Sequence, residues 1–172
     1  MRLVEYSLIT KKQYLDYIVE WEINNLVIIP GASDRKGRTF DDMMQKWNED
    51  KSDSACVNGF VPSTLFFLVK NENKILGSIH LRHELNDKLL LAGGNIGYGV
   101  KPSERNKGYG ALMLKLLLDK LKKENYNRVL LTCDDENLPS IKTIENNMGL
   151  LENKIMHEGK LKRRYWIEIK ER

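Results

Sequence analysis

The 172-residue sequence holds two cysteines, Cys56 and Cys133, with no Cys-x-x-Cys pair and no histidine at a ligand spacing beside either. Neither a zinc site nor a disulfide framework is indicated, and no metal is expected. Proline is scarce at four residues and glycine moderate at 12, so collagen-like and low-complexity chains drop out. Long hydrophobic runs are missing as well. Leu89-Leu90-Leu91-Ala92 and Leu116-Leu117-Leu118 fall far short of the ~20 apolar residues that cross a bilayer. The opening Met1-Arg2-Leu3-Val4-Glu5 supplies no signal-peptide core, so a cytoplasmic chain without a membrane partner is expected. Charge of one sign is not concentrated either. The net +4 arises from 28 basic and 24 acidic residues, and the one basic group, Lys160, Lys162, Arg163 and Arg164, is interrupted by Glu152, Glu158 and Glu168. Without a basic stripe interleaved with aromatics, a nucleic-acid partner is not expected.

What is present suits a globular chain: 41% hydrophobic and 30% charged residues, at a length that buries roughly two-thirds of the unfolded surface. No repeat or linker composition appears, which predicts a single domain over 1–172. Arg2 to Leu8 reads as a strand. Thr10 then caps a helix carrying Tyr14, Tyr17, Ile18 and Trp21 at helical spacing, and Thr39 caps a second with Phe40, Met43, Met44 and Trp47. Thr64–Lys70 and Ile75–Leu85 predict an antiparallel hairpin turning at residues 71–74. On its second strand Ser78, His80, Arg82 and Glu84 share one face, opposite Ile79, Leu81, His83 and Leu85. After the short strand Asn95–Val100 come a helix over Ala111–Lys123, a strand Arg128–Cys133, a helix Pro139–Asn147 and a closing hairpin turning near Gly159. The order is β-α-α-β-β-β-α-β-α-β-β.

The chemistry sits before the long helix. Pro102 to Gly110 leads from a strand straight into a helix N-terminus, where the first N–H groups lack partners and the macrodipole is positive. Gly108 and Gly110 allow the backbone to curl around an anion, Arg105 and Lys107 add charge, and a phosphate-bearing ligand follows. A Walker A loop fails for want of Gly-Lys-Ser/Thr. A Rossmann fingerprint fails because neither Gly97-x-Gly99 nor Gly108-x-Gly110 finds its third glycine.

The remaining pattern, Arg105-x-x-Gly108-x-Gly110 after Val100-x-Pro102, with Asn137-x-x-Ser140 running on to Gly149, resembles the GNAT superfamily of acyl-CoA-dependent N-acetyltransferases. The resemblance covers residues 64–169 well and the N-terminal third by topology alone. It implies an α/β (α+β) GNAT fold: a central mixed, mostly antiparallel twisted sheet of about six to seven strands, helices on both faces, and a splayed parallel pair holding acetyl-CoA. It implies that the backbone of Arg105, Asn106, Lys107, Gly108, Tyr109 and Gly110 holds the CoA pyrophosphate. Gly99 and Val100 would then pair with the pantetheine arm, and Asn137 and Ser140 would face the cosubstrate. The thioester would lie near Tyr98, Val100, Cys133 and Asp134. The acceptor would be a small-molecule or peptide amine, and homodimers are common in the family.

For catalysis, Glu84 is the first candidate base, either a proton acceptor or a strand-end carboxylate paired with Arg82. Glu145 occupies the position where many members carry the tyrosine that protonates the leaving thiolate. Gly93, Gly94 and Asn95 stand where some carry a glutamate base. Tyr98 and Tyr165 are the phenols available instead. A CoA-binding module without turnover is therefore the competing reading. Asp41, Asp42, Glu49, Asp50 and Asp53 would suit a polyamine or aminoglycoside pocket, and are equally explained as helix-surface charge.

Overall fold

The computed structural model describes residues 1–52, 59–71 and 73–169; Cys56, Asp53 and Glu72 lie outside the described residues. Among the described residues seven strands and five α-helices follow in the order β1 (Arg2–Glu5), α1 (Lys11–Ile23), α2 (Phe40–Glu49), β2 (Ser63–Lys70), β3 (Lys74–Arg82), α3 (Asp87–Leu91), β4 (Ile96–Val100), α4 (Tyr109–Lys123), β5 (Arg128–Asp134), α5 (Leu138–Glu145), β6 (Leu150–His157) and β7 (Lys160–Glu168). Helix α3 is an addition to the sequence reading. Its N-cap, Asn86, accepts from the Leu89 amide at 3.0 Å, a signal present in the sequence beside the Leu89–Ala92 run.

The strands form two antiparallel sheets, β1-β2-β3-β4 and β5-β7-β6. The expected strand count is met, with the strands divided between these two sheets instead of running as one continuous ladder. A single antiparallel bridge, Gly94 to Leu131, joins the two. The reason is local: the Asn95 amide donates to Leu130 O at 2.7 Å, but the Leu130 amide returns to the side-chain Oδ1 of Asn95 at 2.8 Å. The Gly93 amide likewise goes to Thr132 Oγ1 at 3.0 Å. Once side chains take the places of ladder acceptors, pairing stops, and β4 separates from β5.

The first sheet is covered on both faces, which is why β2 reads as the unbroken apolar run Thr64–Val69. Leu65, Phe67 and Val69 pack into a cluster with α1 and α2, where Tyr14, Trp47 and Phe67 meet edge to face. Phe66 and Leu68 join the other cluster with α4, α5 and β5. On β3 the register shifts between Leu68 and Val69, where Leu76 is an extra residue, a bulge that reverses the alternation. Beyond it Ile79 and Leu81 enter the α4 cluster, leaving Ser78, His80 and Arg82 toward α1 and α2. Tyr17 fixes that face: its hydroxyl and that of Ser78 share a hydrogen bond of 3.0 Å.

Candidate functional site

Four helices begin on a side-chain cap: Thr10 for α1, Thr39 for α2, Asn86 for α3 and Asn137 for α5. Helix α4 begins on Gly108, at φ +78°, with no side-chain cap. The Leu112 amide takes Gly108 O at 3.1 Å, so the amides of Tyr109, Gly110 and Ala111 before it have no carbonyl within the helix. A Cβ on Gly108 would meet nothing within 4 Å, so the space over this N-terminus is open. Unpartnered donors, a positive dipole end and open space together fit an anion.

The preceding loop is held from below. Glu20 of α1 accepts from the Ser103 amide at 2.5 Å and its hydroxyl at 2.9 Å, and pairs with Lys101 at 3.1 Å. Glu104, 7% exposed, pairs with Lys74 and, at 2.9 Å, with Lys107. These ammonium partners hold its carboxyl down at about 2. Arg105 lays its guanidinium over the Trp21 ring at 5.2 Å and donates to Val100 O at 3.4 Å. The basic side chains expected to add charge to the cradle are thus engaged in holding the loop, and its donors are backbone amides. Asn106 takes the left-handed region at φ +62°, completing the curl.

Strand β4 has β3 on one side, pairing Gly99 with Ser78 and Val100 with Gly77; among the described residues its other edge carries no ladder beyond Asn95. Its glycines have a reason that the sequence did not reveal. A Cβ on Gly99 would lie 2.0 Å from Ile29 O, so the backbone of the chain itself, and not a ligand alone, requires glycine there. Tyr98 faces the other way, packed against the α4 cluster, and donates to Ser140 O at 3.3 Å; burial pushes its phenol up to about 12. Asn137 uses its Oδ1 to cap α5 through the Ser140 amide at 3.1 Å. Cys133 is buried, and desolvation pushes its thiol up to about 11, an inert state. Glu145 is exposed on α5 and accepts from the Tyr165 hydroxyl at 3.0 Å, so a phenol reaches this helix end from β7.

A cavity of about 1050 Å³ opens on the α1/α2 side, walled by the loop from Gly31, helix α2, residues 59–63, the end of β3 and α3. The final hairpin contributes no residue to it. Glu84 also lies outside: β3 ends at Arg82, so Glu84 is exposed past the strand, off the shared face expected for it, and does not line the cavity. His80 does. Desolvation first, then neighbouring Arg82, Lys46 and His83, lower its imidazole to about 3, leaving it neutral. Arg82 donates through Nη1 to the carbonyls of Gly93 at 3.2 Å and Gly94 at 3.1 Å, so this wall adjoins the point where the sheets part. Of the acids expected there, Asp42, Glu49 and Asp50 line the cavity and are hydrogen-bonded, Asp42 with Thr39, Glu49 with Gln45 at 2.8 Å and Asp50 with Lys46 at 2.5 Å, whereas Asp41 does not line it and Asp53 lies outside the described residues. Among the described residues no group of three or more His, Cys, Asp or Glu is placed to hold a metal ion.

The sequence matches the model of the Acetyltransferase (GNAT) family over residues 33–150. No curated protein matches it. Among solved structures, a spermidine N-acetyltransferase SpeG chimera from Vibrio cholerae and hSSAT superposes with a TM-score of 0.66 at 15% identity, covering 98% of this chain and 96% of that one. An N-acetyltransferase from Staphylococcus aureus Mu50 gives 0.65 at 16% identity, with 98% of each chain covered. The ribosomal-protein-S5-alanine acetyltransferase from Vibrio fischeri gives 0.65 at 15% identity, covering 97% of this chain and 91% of that one. At these identities the likeness is one of fold.

Proposed function

Because the chain belongs to the GNAT acetyltransferase family, we propose that it moves an acetyl group from acetyl-CoA to a primary amine of a small molecule or peptide by direct attack, with no covalent enzyme intermediate. The observation that carries this is the uncapped N-terminus of α4, with the open space beside Gly108, following a β4 edge that carries no ladder beyond Asn95 among the described residues. The amides from Asn106 to Gly110 would hold the pyrophosphate, that of Arg105 being given to Pro102 O at 3.3 Å, and the backbone of Gly99 and Val100 would pair with the pantetheine arm. Acetyl-CoA, when bound, supplies the acyl group as an activated thioester.

The chain's own task is to present a neutral amine. A free amine of pKa ~10.4 is neutral about once in 2,500 molecules at pH 7. Burial and nearby positive charge both disfavour the ammonium form. The cavity wall shows both acting on His80, which desolvation and Arg82 keep neutral, so the amine need not meet a strong base. Two phenols are proposed as proton donors toward the departing sulfur. Tyr98 is held protonated by burial, and Tyr165 is held against Glu145. The test is turnover: acetyl-CoA and an amine panel, followed by release of the CoA thiol. Thiol release with at least one amine, absent without it, is expected. CoA binding without release from any amine would favour a CoA-binding module without activity, the reading that Glu145 at the tyrosine position supports.

A further inference from the structure

We propose that the 1050 Å³ cavity takes an amine that also carries a carboxylate, with Arg82 as the group that recognises the anion. The amine half of this statement rests on the transferase reading; the anion half stands on the cavity alone. Among the described residues its walls carry five basic side chains, Lys36, Arg38, Lys46, Arg82 and Lys88, against three acidic ones, Asp42, Glu49 and Asp50. Of these acids only Asp50 is paired with a cation; Asp42 and Glu49 are hydrogen-bonded to neutral groups and keep their charge, so the unpaired cations of the described wall outnumber its unpaired acids. Asp42 accepts from the Thr39 amide at 2.9 Å, Glu49 from Gln45 at 2.8 Å, and Asp50 from Lys46 at 2.5 Å. Lys46 is the one basic wall residue so neutralised. Among the described residues, Lys36, Arg38, Arg82 and Lys88 have no ion-pair partner.

Arg82 is the informative member. It stands on β3, a strand locked between β2 and β4, with Nη1 spent on two backbone carbonyls, Gly93 O and Gly94 O. Those carbonyls orient the guanidinium without cancelling its charge. Its remaining donors have no carboxylate partner although burial acts against the charged form. A half-buried guanidinium retained without a counter-ion is a binding element for a planar anion, which it can meet with two parallel N–H groups. A polyamine would instead bring further ammonium groups against four unpaired cations. The fork sits beside Gly94, where the two sheets part, so an acceptor anchored by its carboxylate on Arg82 would lie close to that separation.

The experiment uses three probes of one length, 5-aminopentanoate, pentylamine and 1,5-diaminopentane, which end in carboxylate, methyl and ammonium. Each is titrated into the full-length protein by calorimetry at low salt, without acetyl-CoA. The expected order of affinity is aminopentanoate, then pentylamine, then the diamine. The Arg82→Met variant should bind aminopentanoate roughly tenfold to a hundredfold more weakly, the range of a lost charge-assisted hydrogen bond. It should leave pentylamine nearly unchanged, while Arg82→Lys restores part of the loss. Arg82 also holds the Gly93–Gly94 turn, so Arg38→Gln, on the exposed rim, is the second variant, with a severalfold loss for aminopentanoate alone. Tighter binding of the diamine overturns the proposal. So does aminopentanoate binding that neither variant weakens. Because no turnover is read, this outcome is independent of whether acetyl transfer occurs.

Discussion

Replacing Gly99 by alanine tests how β4 and the loop before α2 are fitted together. The new Cβ would lie 2.0 Å from Ile29 O and 2.7 Å from Ile29 C, so the loop must retreat by more than an ångström or β4 must bend. The loop is not free to retreat. Tyr14 donates to Ser33 O at 2.8 Å, Trp47 Nε1 to Ala32 O at 2.8 Å, and Ser33 closes back on Pro30 O through its amide at 2.9 Å and its hydroxyl at 2.8 Å. Overpacking of this kind costs about 1–3 kcal/mol. At this chain length each kcal/mol is worth about 2–4 °C of melting temperature, so a fall of roughly 2–12 °C is expected. The control is Gly97→Ala on the same strand face. There a Cβ meets only Pro30 Cβ, at 3.8 Å, an ordinary contact, and the change should stay within ~0.5 kcal/mol. Melting followed by circular dichroism without ligand separates the two. A Gly99→Ala protein melting within about 1 °C of wild type would refute the reasoning, and would return both glycines to the role of making room for a ligand.

Gly108→Val places a β-branched residue at φ +78° with no neighbour to strike, so the apo protein should lose only ~1–2 kcal/mol while affinity for CoA falls at least tenfold by isothermal titration; unchanged affinity would remove the cradle. Glu104 titrates at about 2 in the folded chain against an ordinary 4.5, so its stabilisation is complete above pH 4.5 and is lost as pH falls toward 2. Glu104→Gln should therefore melt lower at pH 7 and show a shallower acid dependence across that window, and an unaltered melting profile would contradict the Lys74–Glu104–Lys107 anchoring. Tyr98→Phe should lower kcat by tenfold or more with little change in CoA affinity, whereas Glu84→Gln, outside the cavity, should leave kcat within about twofold. The reverse pattern in steady-state assays would restore Glu84 as the base.

Much of the fold was legible because its signals are local. The Thr10 and Thr39 caps, the Phe66–Val69 run and the turn at Gly159 each act within a few residues, and both threonines cap their helices as the sequence suggests. The parity of β3 was legible up to Arg82, and with it the placement of His80 and Arg82 on one face. Glu84 was misplaced because nothing in its residues announces that the strand stops at Arg82, where the chain turns toward the Asn86 cap of α3. The division into two sheets was hidden because it depends on Asn95 and Thr132 side chains replacing ladder acceptors across about 35 residues of sequence. The meaning of the β4 glycines was hidden for the same reason, since the backbone that demands Gly99 belongs to Ile29. At the site, the loop that leads into α4 with Gly108 at its N-terminus was legible from spacing. The pairing of Tyr165 with Glu145, and the use of Arg105 and Lys107 as loop anchors, required the third dimension.

The measurement that bears most directly on the central claim is a thermal-shift comparison of the purified protein with acetyl-CoA, CoA, ATP and NAD at one saturating concentration, repeated on Gly108→Val. A ligand at 100 times its Kd stabilises by about 2.7 kcal/mol. At this chain length that is a rise of roughly 5–10 °C. The account predicts this rise with acetyl-CoA and CoA, little with ATP or NAD, and its loss in the variant. No rise with CoA, or an equal one with ATP, would contradict the assignment of the Arg105–Gly110 loop, and the proposed transfer of acetyl groups with it.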